Sequence, residues 1–278
     1  MKNLIVRACT GFIYVLLLIG CTIYSPISAY FFYALVTAAT LAEFCSILHA
    51  QNIASPSHLI NGMAGYLLVS ASWLYCCGGR GADKIIALYG VMLLYILVSE
   101  LYRKADNPLL NWGLSFAAQI YVAVPFALLP MLSISYESGK PVYQCIYIIA
   151  LFVFLWCNDT GAYLTGCTLS RYFPAKLFPR ISPKKSWVGS IGGGLLTIAA
   201  AVLTWHFCPV MPLWRWMGFA LTIIVFGTWG DLVESLFKRQ LGIKDSGSIL
   251  PGHGGLLDRF DSSLLAIPAV FVYMILTT

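Results

Sequence analysis

Only 10% of the 278 residues are charged and 59% are hydrophobic, whereas about a quarter of the residues in a soluble domain are charged. Together with a mean hydropathy of +0.81, this composition excludes a soluble enzyme and predicts an integral membrane protein. The formal net charge of +6 is modest, and its meaning depends on which side of the membrane carries it.

Nine apolar stretches approach or exceed the roughly 20 residues that a helix needs to cross a bilayer. The first follows Lys2 and Arg7 without a convincing signal-peptide cleavage site, so we interpret it as a transmembrane helix. The predicted fold class is an all-α integral membrane protein, a polytopic bundle of about nine transmembrane helices. The predicted spans are residues 5–24, 27–48, 60–77, 84–102, 111–133, 142–165, 187–208, 214–236 and 262–277.

The distribution of basic residues predicts the orientation of these spans. With the N-terminus inside, 13 of the 17 Lys and Arg residues fall in inner segments and four fall outside. The positive-inside rule therefore favours an N-in, C-out topology. It places two long polar loops, 166–186 and 237–261, in the cytoplasm. We expect a multi-pass protein of the inner (cytoplasmic) membrane with an active site that faces the cytoplasm.

The polar signals are concentrated in the second half of the chain. Residues 1–135 form N-terminal transmembrane helices of unassigned role, and residues 136–278 form the predicted catalytic region. In the first half, Glu43 and Glu100 interrupt apolar runs. An intramembrane carboxylate is a functional candidate, although either residue could instead lie near an interface or bind a buried hydroxyl.

The nine cysteines lie mostly inside apolar runs, and none forms a C-x-x-C pair. We interpret them as small buried hydrophobic residues rather than as disulfides or zinc ligands.

An Asn-Asp pair, Asn158 and Asp159, lies near the end of the sixth predicted span. Such polar side chains need partners or a cavity inside a membrane. One interpretation is a polar cluster that holds helices together. The basic loop that follows favours the alternative, a polar cavity that binds a ligand.

The segment Ser182-Pro183-Lys184-Lys185-Ser186-Trp187 is predicted to open the seventh helix, with Ser186 as its N-cap. A helix N-terminus offers free N–H groups and a positive dipole end, to which Lys184 and Lys185 add two charges. This combination predicts a phosphate site. The alternative is a basic anchor that contacts anionic lipid head groups.

Residues 230–261 hold nine of the 28 charged residues and six glycines. Asp231, Glu234 and Ser235 share one helical face. A glycine-rich loop that folds back would let Asp231 and Asp258 bind one Mg²⁺ together with phosphate oxygens. The alternative is an ion-paired interfacial loop in which Asp231 pairs with Lys238 and Asp258 with Arg259. Such a loop has no need of His253 between glycines.

Several common catalytic motifs are absent from the sequence. It contains no P-loop, no H-E-x-x-H zinc motif and no G-x-S-x-G nucleophile elbow. The bipartite acidic pattern of the CDP-alcohol phosphotransferases is also missing.

Other short segments of the second half occur in a fixed order and spacing. They are Ser235-Leu236-Phe237-Lys238-Arg239, Lys244-Asp245, Gly247, Leu250-Pro251, His253-Gly254-Gly255 and Asp258-Arg259-Phe260-Asp261. Together with the segments 158–163 and 182–187, they resemble the motifs of the phosphatidate cytidylyltransferase (CDP-diacylglycerol synthase) family. The resemblance covers residues 157–261, and the N-terminal half agrees only in being several hydrophobic spans.

The resemblance implies transfer of the cytidylyl group of CTP to phosphatidic acid, giving CDP-diacylglycerol and pyrophosphate. It implies Mg²⁺ as cofactor, held by Asp231 and Asp258 with Glu234 and Asp261 as further candidates, and it allows a second cation. The implied partners are CTP, phosphatidic acid and the lipid bilayer, without nucleic acid, and a homodimer is left open. The implied catalytic residues are Asp231, Asp258, Lys238, Arg259 and His253, and the implied substrate-binding residues are Ser182, Lys184, Lys185, Ser186, Arg239, Lys244, Asn158 and Asp159.

Two other classes of protein share some of these features. A secondary transporter also has broken helices and intramembrane acids, but it is expected to show matching interruptions in both halves. A membrane phosphotransferase with another lipid acceptor, such as a polyprenol kinase, would share the metal site but not the full pattern H-G-G-x-x-D-R-x-D.

Overall fold

The structure is a computed structural model that describes residues 2–247, 249, 252 and 254–277, with side chains from Cys9 onward. The described chain is built almost entirely from helices. They are α1 (Lys2–Tyr24), α2 (Pro26–Ala50), α3 (His58–Cys76), α4 (Ala82–Tyr102), α5 (Pro108–Ala118), α6 (Val124–Ser133), α7 (Ile146–Leu169), α8 (Trp187–Phe207), α9 (Leu213–Gln240) and α10 (Leu257–Thr277).

Several helices begin where the local sequence provides a cap. Ser25 caps α2 with its side chain, and Pro26 follows at a first-turn position where its missing N–H costs nothing. Asn107 and Pro108 do the same for α5. Ser186 caps α8 by accepting a hydrogen bond from the Gly189 N–H, as the sequence predicts.

Two short antiparallel hairpins interrupt the helices. The first pairs β1 (Ile134–Glu137) with β2 (Lys140–Tyr143), and the second pairs β3 (Lys176–Phe178) with β4 (Ser182–Ser186). Ser138 and Gly139 both have positive φ at the tip of the first hairpin, which matches the two-residue turns that follow the twist of paired strands. Neither hairpin was predicted, because strands of three to five residues carry little sequence signal.

Eight helical segments of the described chain are long and apolar enough to cross a membrane. One of them is the continuous stretch Pro108–Ser133, in which a π-helical turn (Gln119–Ala123) joins α5 to α6. The described side chains of α1 give a shorter apolar stretch, Cys9–Tyr24. The chain is thus an all-α, multi-pass membrane protein. The number of nine spans and the N-in, C-out orientation stay predictions.

Some predicted boundaries are wrong. The sixth predicted span begins at Ile146 rather than at residue 142, because residues 140–143 pair in the first hairpin. Helix α9 continues to Gln240, and α10 begins at Leu257. The polar loop predicted over 237–261 is therefore shorter. Its basic residues Lys238 and Arg239 are helical, as are Asp258, Arg259 and Asp261.

The chain forms two compact units. The N-terminal unit comprises Met1–Cys145 and Asp245–Phe260, and the C-terminal unit comprises Ile146–Lys244 and Asp261–Thr278. The glycine-rich segment that follows α9 thus belongs to the same unit as α1–α6. The functional division into residues 1–135 and 136–278 stays a prediction.

Several buried polar side chains of the N-terminal unit bind one another across its helices. Glu100 accepts hydrogen bonds from Arg103 at 2.7 Å and from the Asn111 side chain at 2.8 Å. The Gln119 side chain donates to the Asn61 backbone oxygen at 3.0 Å. These contacts link α4 to α5 and α3 to the π-helical turn, so Glu100 has a structural partner of its own.

The nine cysteines are all free thiols, and most of them are buried or half-buried. Their interpretation as small hydrophobic residues rather than disulfides or zinc ligands stays a prediction.

In the C-terminal unit, glycines let the backbones of α7 and α8 come into contact. A Cβ atom on Gly161 would lie 2.9 Å from both the Gly192 oxygen and the Gly193 Cα. A Cβ atom on Gly189 would lie 2.9 Å from the Ala162 oxygen. Small residues are the usual means of such close packing between membrane helices. This packing fixes the position of α7 relative to the N-terminus of α8.

We predict that Gly161→Ala lowers the free energy of unfolding by about 1–3 kcal/mol, because the added methyl group must push two backbones apart. Gly194→Ala is the matched control: its Cβ would meet Ile224 at 3.7 Å, an ordinary contact, and alanine is the better helix former. Thermal unfolding of the purified proteins in detergent would measure both effects. Equal melting temperatures for the two variants would contradict the prediction.

Candidate active site

A polar cleft of about 280 Å³ opens in the C-terminal unit between α7, the β4–α8 junction and α9. It brings together six of the residues singled out in the sequence. The described residues that line it are Asn158, Asp159, Ala162, Tyr163, Gly166, Lys184, Lys185, Ser186, Gly189, Ser190, Thr228 and Asp231.

Helix α7 contributes the Asn-Asp pair to this cleft. Asn158 is buried, and its amide nitrogen donates to the Thr228 hydroxyl at 3.4 Å. Its side-chain oxygen has no hydrogen-bond partner among the described residues. Asp159, the next residue, is exposed and lines the cleft. Asn158 thus contacts a neighbouring helix, as expected for a polar cluster that holds helices together. The pair also lines a cavity, as expected for a ligand-binding site.

The β4–α8 junction contributes positive charge. Lys184 and Lys185 lie in strand β4, directly before the first turn of α8. There the Ser186 hydroxyl accepts a hydrogen bond from the Gly189 N–H at 3.2 Å. Lys184 is exposed and Lys185 is half-buried. Two ammonium groups beside a helix N-terminus form a favourable environment for phosphate.

Helix α9 contributes Asp231, which is half-buried. The Lys185 Nζ lies 2.6 Å from one carboxylate oxygen of Asp231, and the Ser235 hydroxyl donates to the other at 3.1 Å. The predicted shared face of Asp231 and Ser235 is therefore confirmed. The ion pair joins one lysine of the predicted phosphate site, Lys185, to the predicted metal ligand.

Glu234 and Lys238 form a second ion pair one turn apart on α9. Glu234 is fully buried and is not among the described residues that line the cleft. The ion-paired-loop hypothesis matched Asp231 with Lys238, but the structure pairs Asp231 with Lys185 and Lys238 with Glu234.

A close contact between helices places Asp261 near the cleft residues. A Cβ atom on Gly230 would lie 2.7 Å from the Asp261 oxygen and 2.9 Å from the Ser262 Cα, so only glycine allows α9 and α10 to approach here. The Asp261 carboxylate consequently lies in the electrostatic field of two other carboxylates, Asp231 and Asp159, and of Lys238.

This set of side chains fits a hard cation such as Mg²⁺. Three carboxylates repel one another unless a cation neutralises them, and carboxylate oxygens are the ligands that Mg²⁺ prefers. Among the described residues, no three His, Cys, Asp or Glu side chains converge into a complete metal cage. Mg²⁺ is usually held by one or two carboxylates together with substrate phosphates and water, so these carboxylates are compatible with such a site, and the cofactor stays a prediction.

Asp258 and Arg259 belong to the N-terminal unit. One carboxylate oxygen of Asp258 accepts hydrogen bonds from the N–H groups of Ser246 and Gly255, each at 2.9 Å. Arg259 is exposed. The Mg²⁺ site shared by Asp231 and Asp258 stays a prediction. His253 lies outside the described residues.

The remaining predicted residues are not among the described residues that line the cleft. Arg239 and Lys244 are exposed near the end of α9, and Ser182 is half-buried at the start of β4. Their assignment to substrate binding stays a prediction.

Two lining residues with polar side chains were missed in the sequence. Thr228 lies three residues before Asp231 on α9, and Ser190 lies four residues after Ser186 on α8. Both are one helical turn from a residue that was singled out, so helical periodicity contained the signal.

Comparison with known proteins places these residues in a family. The model of the cytidylyltransferase family matches residues 5–277. A protein of Staphylococcus epidermidis named phosphatidate cytidylyltransferase is 30% identical over 277 residues, which cover 98% of this chain and 99% of that protein. One of the same name from Staphylococcus saprophyticus is 34% identical over 193 residues, 69% of this chain and 68% of the relative.

A third relative of that name, from Staphylococcus aureus, is 45% identical over 130 residues, 46% of this chain and 49% of the relative. In that comparison the chain spans about half the length of the relative. The match of the family model runs from the first predicted span to the last, and therefore includes the cleft. This chain belongs to the cytidylyltransferase family.

Proposed function

We propose that this protein transfers the cytidylyl group of CTP to phosphatidic acid, forming CDP-diacylglycerol and pyrophosphate. The observation that carries the proposal is the cleft in which Lys184, Lys185 and the N-terminus of α8 meet the carboxylate of Asp231. Family membership and the names of the relatives support the same reaction.

The reaction asks little of acid–base chemistry. The phosphate of phosphatidic acid is an anion near neutral pH, so its oxygen can attack the α-phosphorus of CTP without a general base. A P–O bond forms there, and the bond from the α-phosphorus to the β-phosphate oxygen breaks. Pyrophosphate leaves as an anion. Catalysis of this kind rests on positioning and on neutralising charge.

The residues of the cleft can supply both the positioning of the phosphates and the neutralisation of their charge. Lys184, Lys185 and the free N–H groups of α8 bind phosphate oxygens. Asp231 and Asp159 are the proposed cation ligands in the cleft, with Asp261 nearby and Asp258 as the further ligand that the sequence predicts. A bound Mg²⁺ supplies charge neutralisation at the phosphoryl oxygens. The three carboxylates of the C-terminal unit, Asp159, Asp231 and Asp261, exceed what one Mg²⁺ normally takes from protein, which is compatible with a second cation.

The membrane environment accounts for the lipid substrate. We propose that acyl chains enter laterally between helices while the polar head group reaches the cleft. We propose that the protein lies in the inner (cytoplasmic) membrane. Its cleft is proposed to face the cytoplasm, where CTP is found. A homodimer stays a prediction.

The direct test is an assay of the purified protein with radiolabelled CTP, phosphatidic acid and Mg²⁺. ATP in place of CTP, and a polyprenol in place of phosphatidic acid, are the controls that separate this reaction from that of a lipid kinase. Labelled CDP-diacylglycerol is the expected product. Incorporation of label from ATP into a polyprenol, without use of CTP, would overturn the proposal.

We predict that Lys184→Gln and Lys185→Gln each raise the KM for CTP or lower kcat by about ten- to a hundredfold, the loss expected for one charge-assisted hydrogen bond to phosphate. Lys176→Gln is the matched control, since Lys176 is an exposed lysine of β3 that is not among the described residues that line the cleft. Steady-state kinetics in detergent without anionic lipid would measure the effects. Normal kinetics in both variants would favour the lipid-anchor hypothesis.

We also predict that Asp231→Asn and Asp258→Asn each nearly abolish turnover, because each removes an anionic ligand from a weakly held cation. If the two act on one Mg²⁺, the double variant should be little worse than either single variant. Asp106→Asn, at an exposed acid between α4 and α5, is the control. Turnover is measured over a Mg²⁺ titration, and near-normal activity of a single variant at limiting Mg²⁺ would disprove the shared site.

The proposed orientation predicts the accessibility of two loops. Single cysteines introduced near Lys176 and Gly247 in a cysteine-depleted variant should resist an impermeant thiol reagent in intact cells. They should react once the cells are opened. Ready labelling of either site in intact cells would contradict the proposed orientation. It would also make the use of cytoplasmic CTP implausible.

A further inference from the structure

Glu43, in the middle of the apolar helix α2, is almost completely buried, with 5% of its surface exposed. Both of its carboxylate oxygens accept hydrogen bonds from a segment more than 200 positions later in the chain. One oxygen accepts from the Ser246 hydroxyl at 2.5 Å and from the Leu257 N–H at 3.1 Å. The other accepts from the Leu256 N–H at 2.8 Å.

These donors explain why a carboxylate is tolerated inside an apolar helix. Leu256 and Leu257 stand at the N-terminus of α10, where backbone N–H groups have no partner within their own helix. A carboxylate there satisfies two of these groups and opposes the positive end of the helix dipole. Glu43 thus caps α10 from a different helix of the same unit.

Two glycines provide the space that this contact needs. A Cβ atom on Gly255 would overlap the Glu43 carboxylate and the Ser246 hydroxyl, and one on Gly247 would lie 3.2 Å from the Glu43 carboxylate. Gly255 is not among the glycines with positive φ, so its backbone would accept alanine. Glycine is required at this position because the carboxylate of Glu43 occupies the space.

The same residues hold Asp258. The backbone N–H of Ser246 donates to Asp258 while its hydroxyl donates to Glu43, and Gly255 donates to Asp258 while it packs against Glu43. Ser246 and Gly255 therefore connect the carboxylate of α2 to the carboxylate that the sequence predicts as a metal ligand. A shift of Glu43 would be passed on to Asp258 through two residues.

We propose that Glu43 is a positioning residue for cytidylyl transfer: it holds Ser246, Gly255 and the first turn of α10 so that Asp258 keeps its place. The role of Asp258 rests on the proposed function, but the anchoring by Glu43 does not. Helix α2 then takes part in holding Asp258, although none of the motifs that indicate the reaction lies in the N-terminal half.

Hydrogen exchange tests the anchoring without reference to activity. In the full-length protein in detergent, Glu43→Ala should speed exchange at the Leu256 and Leu257 amides by about ten- to a hundredfold, because these amides lose their hydrogen bonds to the Glu43 carboxylate. Glu43→Gln keeps the shape and one acceptor oxygen and should retain part of the protection. Glu100→Gln is the matched control, since Glu100 is the other buried carboxylate of the N-terminal helices and binds Arg103 and Asn111 instead.

A double-variant cycle tests the same contact from its other side. Gly255→Ala should lower turnover and speed exchange while Glu43 is present, because the methyl group displaces the carboxylate. In the Glu43→Ala background the carboxylate is gone, and the Ser246 hydroxyl has lost the acceptor that holds it against Gly255 and can rotate away. The added methyl group should then change turnover by no more than about twofold. Gly90→Ala, at a helical glycine of α4 with open space around it, controls for the substitution itself.

The proposal predicts that turnover with CTP and phosphatidic acid falls in step with lost amide protection across these variants, at temperatures where all remain folded. It is overturned if Glu43→Ala leaves exchange at wild-type values, if Glu100→Gln accelerates the same amides equally, or if the losses from Glu43→Ala and Gly255→Ala simply add. Should Glu43→Ala fail to fold, Glu43→Gln and Gly255→Ala decide the question. A wild-type protein that is inactive with CTP would contradict the proposed function. Unchanged amide exchange in the Glu43 variants would contradict the anchoring of α10 by Glu43.

Discussion

The polar cleft depends on how closely the backbones of α7 and α8 approach each other. Gly161 on α7 and Gly189 and Gly193 on α8 have no Cβ atoms, and the two helices meet at distances that any side chain would prevent. In a membrane no hydrophobic effect drives helices together, so shape and polar contacts decide their packing. This contact sets the Asn158–Asp159 pair opposite the positively charged start of α8.

Two of the carboxylates in and near the cleft form ion pairs with lysines. Lys185 neutralises Asp231, and Lys238 neutralises the buried Glu234, while Asp159 and Asp261 add further negative charge nearby. A polyphosphate brought in with a cation would exchange partners with these groups rather than create charge in an apolar environment. Such exchange keeps the cost of desolvation low, which is the main difficulty for polar chemistry at a membrane.

Each buried glutamate of the described chain has a specific partner, and the partners of Glu43 lie in a distant segment of the chain. Glu100 binds Arg103 and Asn111, and Glu43 binds the start of α10. An unsatisfied carboxylate in an apolar interior is costly, so each one fixes its surroundings to a single arrangement. The N-terminal helices thereby contribute to the order of the glycine-rich segment that follows α9.

The sequence by itself determined the helices, the Ser186 cap and the shared face of Asp231 and Ser235, because apolar runs, capping and helical periodicity are local properties. Its motifs also indicated the family. The tertiary structure alone decided that Lys185 binds Asp231, that Gly230 admits Asp261, and that Glu43 meets Ser246 across 203 positions. Those contacts join segments far apart in the chain, and a pattern read along the chain carries no record of which distant groups the packing of helices brings together.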